Sequence, residues 1–205
     1  MKKYFILIAG CPATGKSYLI QKIKEVLPSM FMITPDEVKE MFADSIGFDS
    51  KAEKTALEKR VWKFYYQVLQ LYMEAGRKVI LSEYPFSEKQ KGKLAALSET
   101  YDYQVITIRL SADFEVLWER RHDRDLHSQG HLLHIMNHYH YGDRLADRSQ
   151  ADALLSKAEF RRIVEARNYA GFQLGELYEF DVTDFSKVNY GPFLEALKNR
   201  IESDQ

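Results

Sequence analysis

The chain has 205 residues, of which 45% are hydrophobic and 29% charged, with a formal net charge of −1 at pH 7. This length suits one domain with a full core, so we predict a single domain over residues 1–205. No apolar run approaches the roughly 20 residues that span a bilayer, and the balanced charge argues against broad electrostatic capture of duplex nucleic acid. The single cysteine rules out an internal disulfide and is typical of a reducing cytoplasm, which is the predicted location.

The first predicted element is a buried strand over residues 4–9, which runs directly into a glycine-rich loop. Residues 10–17 fit the pattern G-x-x-x-x-G-K-[ST] in full, and a helix over residues 16–27 follows. Glycines let the backbone turn its N–H groups inward, and the helix N-terminus adds its dipole, so this unit predicts a phosphate-binding loop. We expect Lys16 to reach the β- and γ-phosphates of ATP and the Ser17 hydroxyl to bind Mg²⁺. The predicted nucleotide-binding residues are Gly10, Cys11, Pro12, Ala13, Thr14, Gly15, Lys16 and Ser17, with Cys11 interpreted as a packing residue rather than a redox switch.

A second strand, over residues 30–33, precedes a helix over residues 35–42 that opens with proline in its first turn. Asp36 and Lys39 lie three residues apart on one face of this turn, at a strand end that overlooks the γ-phosphate in a doubly wound sheet. We therefore predict that Asp36 accepts a proton from an attacking hydroxyl and that Lys39 steadies the acceptor or the transferred phosphate. The alternative is that Asp36 and Glu37 only stabilise the helix dipole.

A long helix over residues 52–75 carries many aromatic residues, interpreted as core packing or as a wall of the substrate cleft. The third strand, over residues 78–82, is followed directly by Glu83, and a helix over residues 87–98 comes next. In a doubly wound fold, an acid at the carboxyl end of this strand lies beside the phosphate loop. We predict that Glu83 holds Mg²⁺, through water, or binds the acceptor; the alternative is that it caps the next loop.

The fourth strand, over residues 104–109, leads into a helix over residues 113–122. Arg120 and Arg124 are four residues apart and share a helix face, so we predict that they close over the phosphates as a lid. The alternative is a solvated basic helix end. Most arginines of the chain lie between residues 109 and 167, and the planar fork of arginine grips phosphate oxygens. This clustering favours a lid and substrate segment over about residues 111–170.

All six histidines lie between residues 122 and 140. His127, His131, His134 and His138 follow a 4, 3, 4 spacing, which lines one side of a helix if the helix extends that far. Three interpretations stay open: a lid or substrate-contacting surface, a solvated face, or a metal site bridged by His134 and His138. We predict that His131 contacts the acceptor substrate.

The last predicted elements are a helix that starts from a capping box at Ser156 and runs towards Ala170, a strand over residues 177–182 and a helix over residues 192–201. Strands and helices thus alternate along the chain, which is typical of a parallel sheet with helices on both faces. We predict an α/β, three-layer P-loop NTPase fold with a five-stranded parallel sheet and a helical lid.

The phosphate loop, residues 34–39 and the arginine pair resemble the P-loop small-kinase group, which includes polynucleotide 5′-kinases, zeta-toxin-like kinases, gluconate and chloramphenicol kinases and AAA-type kinase candidates. The resemblance implies transfer of the γ-phosphate of ATP to a hydroxyl, with Asp36 as base and the arginines as lid. In polynucleotide kinases, the helix after the second strand commonly carries Arg where this chain has Lys39. The acid of the third strand is commonly Asp rather than Glu83. These departures bear on the substrate more than on the phosphoryl chemistry.

The predicted activity is an ATP- and Mg²⁺-dependent phosphotransfer to a hydroxyl of an unidentified small molecule or nucleotide. One alternative is an ATP-binding sensor without catalysis. Another is a 5′-hydroxyl polynucleotide kinase, which the balanced net charge does not favour. The expected partners are therefore ATP and a small acceptor, with no membrane, and the sequence leaves the oligomeric state open.

Overall fold

In the computed structural model, which describes residues 2–203, five strands pair into one parallel sheet. Their order across the sheet is second, third, first, fourth and fifth, so the first strand lies at the centre. The five predicted strands and their parallel arrangement are confirmed. The strands are β1 (Lys3–Gly10), β2 (Phe31–Met32), β3 (Val79–Glu83), β4 (Tyr103–Ser111) and β5 (Glu176–Asp181).

Helices cover both faces of this sheet, and each predicted helix is present with shifted ends. Within residues 2–203, no helix is both long enough and apolar enough to cross a lipid bilayer. The helices are α1 (Lys16–Val26), α2 (Pro35–Ile46), α3 (Lys51–Glu74), α4 (Glu88–Thr100), α5 (Phe114–His127), α6 (Lys157–Arg167) and α7 (Gly191–Ser203).

The central strand β1 is buried on both faces because successive side chains of a strand point to opposite sides of the sheet. Tyr4, Ile6 and Ile8 pack in the cluster that contains α1 and α7. Phe5 and Leu7 pack in the cluster that contains α3 and α4. Full burial of each such aliphatic side chain is worth about 1.5–3 kcal/mol. This two-sided burial explains the uninterrupted apolar run and confirms the predicted three-layer arrangement.

Two helix ends differ from the prediction in ways that shape the molecule. Helix α2 continues to Ile46 and is followed by its C-cap residue Gly47, whose φ of +73° favours glycine. Helix α5 reaches His127 and ends there, since Ser128 takes an extended backbone. The histidines beyond residue 127 therefore lie outside any long helix, so the condition under which the four spaced histidines would share one helix face is not met.

Residues 128–153, which we call the bridging segment, connect α5 to the start of α6 through irregular structure and two short 3₁₀ turns. The segment is fastened to the α2–α3 corner. Phe48 and Tyr139 exchange two backbone hydrogen bonds, of 2.9 and 2.7 Å. The Nζ atom of Lys54 on α3 donates to the carbonyls of Leu133 and Met136, at 2.6 and 2.8 Å. The bridging segment is thus held against the corner between α2 and α3.

Candidate functional site

The loop between β1 and α1 has the backbone of an anion cradle. Gly10, Ala13 and Gly15 have φ values of +133°, +72° and +79°, and such left-handed residues turn successive N–H groups inward. Glycine is required at position 10, because a Cβ atom there would lie 2.3 Å from the carbonyl oxygen of Leu110 on β4. Ala13 is not a glycine, and its left-handed backbone costs roughly 1–2 kcal/mol. Strain of this kind is concentrated at functional sites.

Lys16 lies at the mouth of this loop, at the first residue of α1. Its Nζ atom donates to the carbonyls of Gly10 and Cys11, at 3.2 and 3.1 Å, and lies 3.3 Å from Glu83 Oε1. The Cys11 thiol is buried, and burial raises its pKa to about 11 despite the opposing charge of Lys16. A thiol of this kind is inert at neutral pH, in agreement with a packing role.

Glu83 ends β3 beside the loop, as predicted. Burial raises the pKa of its carboxyl; Lys16 opposes the shift without cancelling it, and the nearby Asp36 carboxylate adds to it. Ser17 is exposed on the first turn of α1, directly after Lys16. The site therefore offers one hydroxyl and one carboxylate oxygen next to Lys16.

Asp36 and Lys39 lie in the first turn of α2, and they form an ion pair. The Lys39 Nζ atom lies 3.0 Å from Asp36 Oδ1, donates to the Tyr84 hydroxyl at 3.0 Å and lies 4.6 Å above the Tyr84 ring. Burial opposes ionisation of Asp36, but Lys39, with His134 and Lys16, holds the pKa of its carboxyl below the ordinary value. Asp36 is therefore a carboxylate at neutral pH. Sequence reasoning missed Tyr84, although its place directly after Glu83 is a usable signal.

A cleft of about 950 Å³ joins these elements. It runs from the phosphate loop past the first turn of α2 to α5 and the bridging segment. The predicted catalytic and substrate-binding residues all contribute to its wall, while their individual roles stay predictions. These lining residues are Lys16, Ser17, Asp36, Lys39, Glu83, Arg120, Arg124 and His131.

Arg120 makes contacts different from those predicted for a lid residue. Its two terminal nitrogens donate to the carbonyls of Val182 and Thr183, both at 2.8 Å, and its guanidinium lies 3.8 Å from the centroid of the Phe185 ring. Phe185 in turn lies against the phosphate loop, since a Cβ atom at Gly15 would be 3.0 Å from its ring. Arg120 thus fastens the loop after β5 beside the nucleotide cradle.

Arg124 faces the cleft and keeps 47% of its side chain exposed. Its Nε and Nη2 atoms donate to Asp125 Oδ1, at 3.2 and 2.9 Å. Sequence reasoning missed both Asp125 and Arg121, which line the same wall. Their i, i+4 spacing on α5 is the signal that could have found them.

Five histidines pair with carboxylates rather than with one another. Within residues 2–203, no group of three or more His, Cys, Asp or Glu side chains is arranged to hold a metal ion, so the structure does not support the metal interpretation. Three of the pairs fasten the bridging segment to α2 or to the loop before α3. The pairs are His127–Asp123, His131–Asp44, His134–Glu40, His138–Asp152 and His140–Asp49, at 2.9, 3.1, 2.9, 3.5 and 2.8 Å.

Asp44, on α2, contacts two residues of the bridging segment, Tyr139 and His131. Its Oδ1 atom accepts the Tyr139 hydroxyl at 2.6 Å and lies 3.1 Å from His131 Nε2. The hydrogen bond from Tyr139, helped by His131, holds the pKa of the Asp44 carboxyl below its ordinary value although partial burial opposes it. His131 therefore lines the cleft and also holds the bridging segment against α2.

The Asp44→Ala variant is expected to lower the free energy of unfolding by about 1–2 kcal/mol at neutral pH, since two hydrogen bonds to a partly exposed carboxylate are lost. Because the pKa of Asp44 is lower in the folded state, its ionised carboxylate stabilises the fold at pH values above its pKa in the unfolded chain, about 3.9. This stabilisation is lost as the pH falls through the pKa of Asp44 in the folded state. Urea unfolding should therefore show that the difference in free energy of unfolding between the wild type and Asp44→Ala shrinks from about pH 5 to about pH 2. Asp123→Ala is the control, because its pair with His127 is solvent-exposed. A difference that is the same at every pH would contradict the assignment.

Known structures share this fold. The sequence itself matches none of the curated proteins. A candidate kinase from Chloroflexus aurantiacus J-10-fl is 20% identical with a TM-score of 0.74, and the match covers 97% of this chain and 98% of that chain. A gluconokinase from Sinorhizobium meliloti 1021 is 13% identical with a TM-score of 0.54, covering 98% and 97%. A chain of the Pnkp1/Rnl/Hen1 RNA repair complex is 13% identical with a TM-score of 0.59, covering 85% of this chain and 47% of that chain.

At these identities the likeness establishes the fold alone. The predicted P-loop NTPase fold and the resemblance to the P-loop small-kinase group are confirmed at that level. Residues 5–137 match the model of the family described as an AAA domain, and the chain belongs to that family.

Proposed function

We propose that the chain is an ATP-dependent phosphotransferase that moves the γ-phosphate of ATP to a hydroxyl of a small molecule. One observation carries the proposal: a single cleft is lined both by the loop lysine, Lys16, and by Asp36, whose carboxyl is ionised at neutral pH. A phosphate cradle with a facing carboxylate is the arrangement that transfer to a hydroxyl needs.

The geometry of Asp36 suits a hydroxyl acceptor. Lys39 donates a hydrogen bond to Asp36 Oδ1, while Asp36 Oδ2 makes no hydrogen bond within residues 2–203. In the proposed step, Oδ2 accepts the hydroxyl proton as the acceptor oxygen bonds to the γ-phosphorus. The bond from that phosphorus to the bridging oxygen breaks, and ADP leaves. Because the transition state is loose, positioning by Asp36 and charge stabilisation by Lys16 carry most of the effect.

A magnesium ion fits the donor set beside Lys16. The Ser17 hydroxyl and the Glu83 carboxylate are hard oxygen ligands at the edge of the phosphate cradle, which is the ligand type that Mg²⁺ prefers. Such an ion, when bound, neutralises charge on the transferring phosphoryl group. We therefore assign Ser17 and Glu83 as its protein ligands, directly or through water.

The far end of the cleft favours a small acceptor over a polynucleotide. A single-stranded nucleic acid needs a groove that follows its backbone. Here the bridging segment crosses this end, with His134 paired to Glu40 at 2.9 Å and both side chains lining the cleft. Lys54 holds the same segment through two backbone carbonyls. An acceptor must therefore fit between the phosphate loop and this wall.

Transfer from labelled ATP tests the proposal. Pools of small metabolites, sugars, antibiotics and 5′-hydroxyl oligonucleotides are offered to the wild type and to the Lys16→Ala and Asp36→Asn variants. We expect transfer to one small-molecule pool and its loss in both variants. Lys22→Ala is the matched control, since Lys22 lies on the same helix, does not line the cleft, and contacts Glu25 and the Tyr18 ring at the surface.

Two outcomes would contradict the proposal. Transfer to the oligonucleotides alone would overturn the small acceptor and indicate an end kinase. ATP binding without transfer to any pool would count against the phosphotransferase and favour an ATP-binding sensor.

A further inference from the structure

The last residue of β3, Glu83, and the residue after it, Tyr84, each contact one lysine of the cleft. Glu83 Oε1 lies 3.3 Å from Lys16 Nζ, at the phosphate loop. The Tyr84 hydroxyl accepts a hydrogen bond from Lys39 Nζ at 3.0 Å, at the first turn of α2. Neighbouring residues of an extended chain point to opposite faces of the sheet, and Tyr84 packs on the face that α3 covers. One point of the sheet therefore contacts both the phosphate loop and the helix that carries Asp36.

The backbone of Tyr84 is tied to the strand that leads into the phosphate loop. Its N–H donates to the carbonyl of Ile8 on β1 at 3.2 Å, two residues before Gly10. Its ring meets the Trp62 ring of α3 at 5.0 Å and the Phe86 ring at 5.7 Å, both in edge-to-face contact. Aromatic pairs favour this arrangement, which gives the ring a preferred orientation. The Tyr84 hydroxyl is therefore held in place relative to the phosphate loop.

The strand that leads to Asp36 is the shortest of the five. It is β2, which lies at the edge of the sheet and pairs with β3 over only two residues. By contrast, β1 pairs along its length with β3 and β4. Segments with few sheet contacts shift more readily than central ones. The first turn of α2 is therefore steadied by a second tie to the sheet, which the contact between Lys39 and Tyr84 provides.

Lys39 transmits the position of the Tyr84 hydroxyl to Asp36. Its Nζ atom lies 3.0 Å from Asp36 Oδ1 and 4.6 Å from the centroid of the Tyr84 ring, and only 12% of the side chain is exposed. An ammonium group with little access to water requires partners for its N–H donors, so both oxygens hold it. Because Lys39 holds Oδ1, the carboxylate keeps one orientation, and its Oδ2 makes no hydrogen bond within residues 2–203.

We infer that Tyr84 is a positioning residue that fixes the Asp36 carboxylate, through Lys39, relative to the phosphate loop. The inference rests on the proposed function, in which Asp36 takes the hydroxyl proton while the loop holds the phosphates. Phosphoryl transfer depends on the alignment of these groups, and a misplacement of about 1 Å can cost about 10²-fold in rate. Tyr84 connects the two because its backbone is bonded to β1 and its hydroxyl to α2.

A titration of the Asp36 carboxyl tests the inference without ATP or an acceptor. In protein labelled with ¹³C at the aspartate carboxyl carbon, the NMR signal of Asp36 is identified by its loss in Asp36→Asn. We expect Tyr84→Phe to raise the pKa of Asp36, because Lys39 loses its second partner and no longer stays beside the carboxylate. Tyr66→Phe is the matched control. The Tyr66 ring lies 5.7 Å from Trp62, but it does not line the cleft and its hydroxyl makes no hydrogen bond within residues 2–203.

Two results of this titration would overturn the inference. One is an unchanged or lower pKa of Asp36 in Tyr84→Phe. The other is an equal rise in Tyr66→Phe, which would show a general effect of the aromatic cluster. Lys39→Met removes the ion pair outright, so its rise in the Asp36 pKa should be at least as large as that of Tyr84→Phe.

Kinetics with the acceptor found in the screen separates positioning from direct contact. Tyr84→Phe is expected to lower kcat by about 10- to 100-fold, with the KM of the acceptor within about threefold of the wild type. Adding Tyr84→Phe to Lys39→Met should lower kcat no further, since the hydroxyl acts through this lysine. A higher KM with unchanged kcat would make Tyr84 an acceptor contact and overturn the positioning role. Additive losses in the double variant would overturn the route through Lys39.

The two proposals fail separately. If Tyr84→Phe raises the pKa of Asp36 and no pool is phosphorylated, the link from Tyr84 to Asp36 stands and the phosphotransferase falls. If transfer is normal in Tyr84→Phe and the pKa of Asp36 is unchanged, the proposed function stands and this inference falls.

Discussion

Replacing Asp36 by asparagine is expected to lower kcat by about 10²–10⁴-fold and to leave the Kd for ATP within about threefold of the wild type. The amide keeps the shape of the side chain, but it cannot take the hydroxyl proton and it no longer pairs with Lys39. The phosphate loop belongs to other elements, between β1 and α1, so we expect the proposed nucleotide contacts to be unaffected. Steady-state kinetics with the acceptor found in the screen, together with ATP titration, measures both quantities.

Glu37→Gln is the matched control for this prediction. Glu37 lies in the same first turn of α2, is exposed, and accepts a hydrogen bond from Thr34 Oγ1 at 3.0 Å. Each carboxylate there stabilises the helix N-terminus by about 0.3–1 kcal/mol. If Asp36 acts only on the helix dipole, both substitutions will lower the free energy of unfolding slightly and leave kcat unchanged. That result would remove Asp36 from the proposed chemistry.

The parts of the site that could be predicted from the sequence are local in the chain. Residues 10–17 combine a strand, a turn and a helix start, so the backbone conformation follows from a contiguous stretch. Asp36 and Lys39 likewise share one helical turn, and they pair at 3.0 Å as their i, i+3 spacing predicts. Such short-range geometry depends on few other residues, which is why it can be predicted from a single sequence.

The parts that could not be predicted depend on tertiary packing. Arg120 and Arg121 are neighbours on α5 and point in directions about 100° apart. Which surroundings each guanidinium meets depends on two phenylalanines in distant segments of the chain. Phe185 packs against the guanidinium of Arg120, and Phe160 packs against that of Arg121. The positions of the histidines could not be predicted from helical spacing for a similar reason. Their partners, such as Asp44 for His131, are far away in sequence, and no local spacing encodes them.

The largest effect is expected from Arg124→Ala, which should lower kcat by about 10³–10⁵-fold with little change in ATP affinity, as loss of an arginine acting on the transition state does. Its guanidinium is held by Asp125 along one edge and is half-exposed over the cleft, so it is free to approach the phosphoryl group as charge develops. Arg120→Ala should behave differently. Its donors are committed to two backbone carbonyls, so its loss should loosen the loop that carries Phe185.

The contrast between these two arginines is measured by kcat, by the Kd for ATP and by Tm. For Arg120→Ala we expect weaker ATP binding and a lower Tm, with kcat at saturating ATP within about tenfold of the wild type, because the changed contacts lie beside the cradle and not at the transferring group. Equal losses in kcat and ATP affinity for Arg124→Ala would overturn its assignment as the lid residue. A kcat loss confined to Arg120→Ala would assign the lid role to Arg120 alone, one member of the pair that helix spacing predicts, and it would require the loop after β5 to release Arg120 when ATP binds.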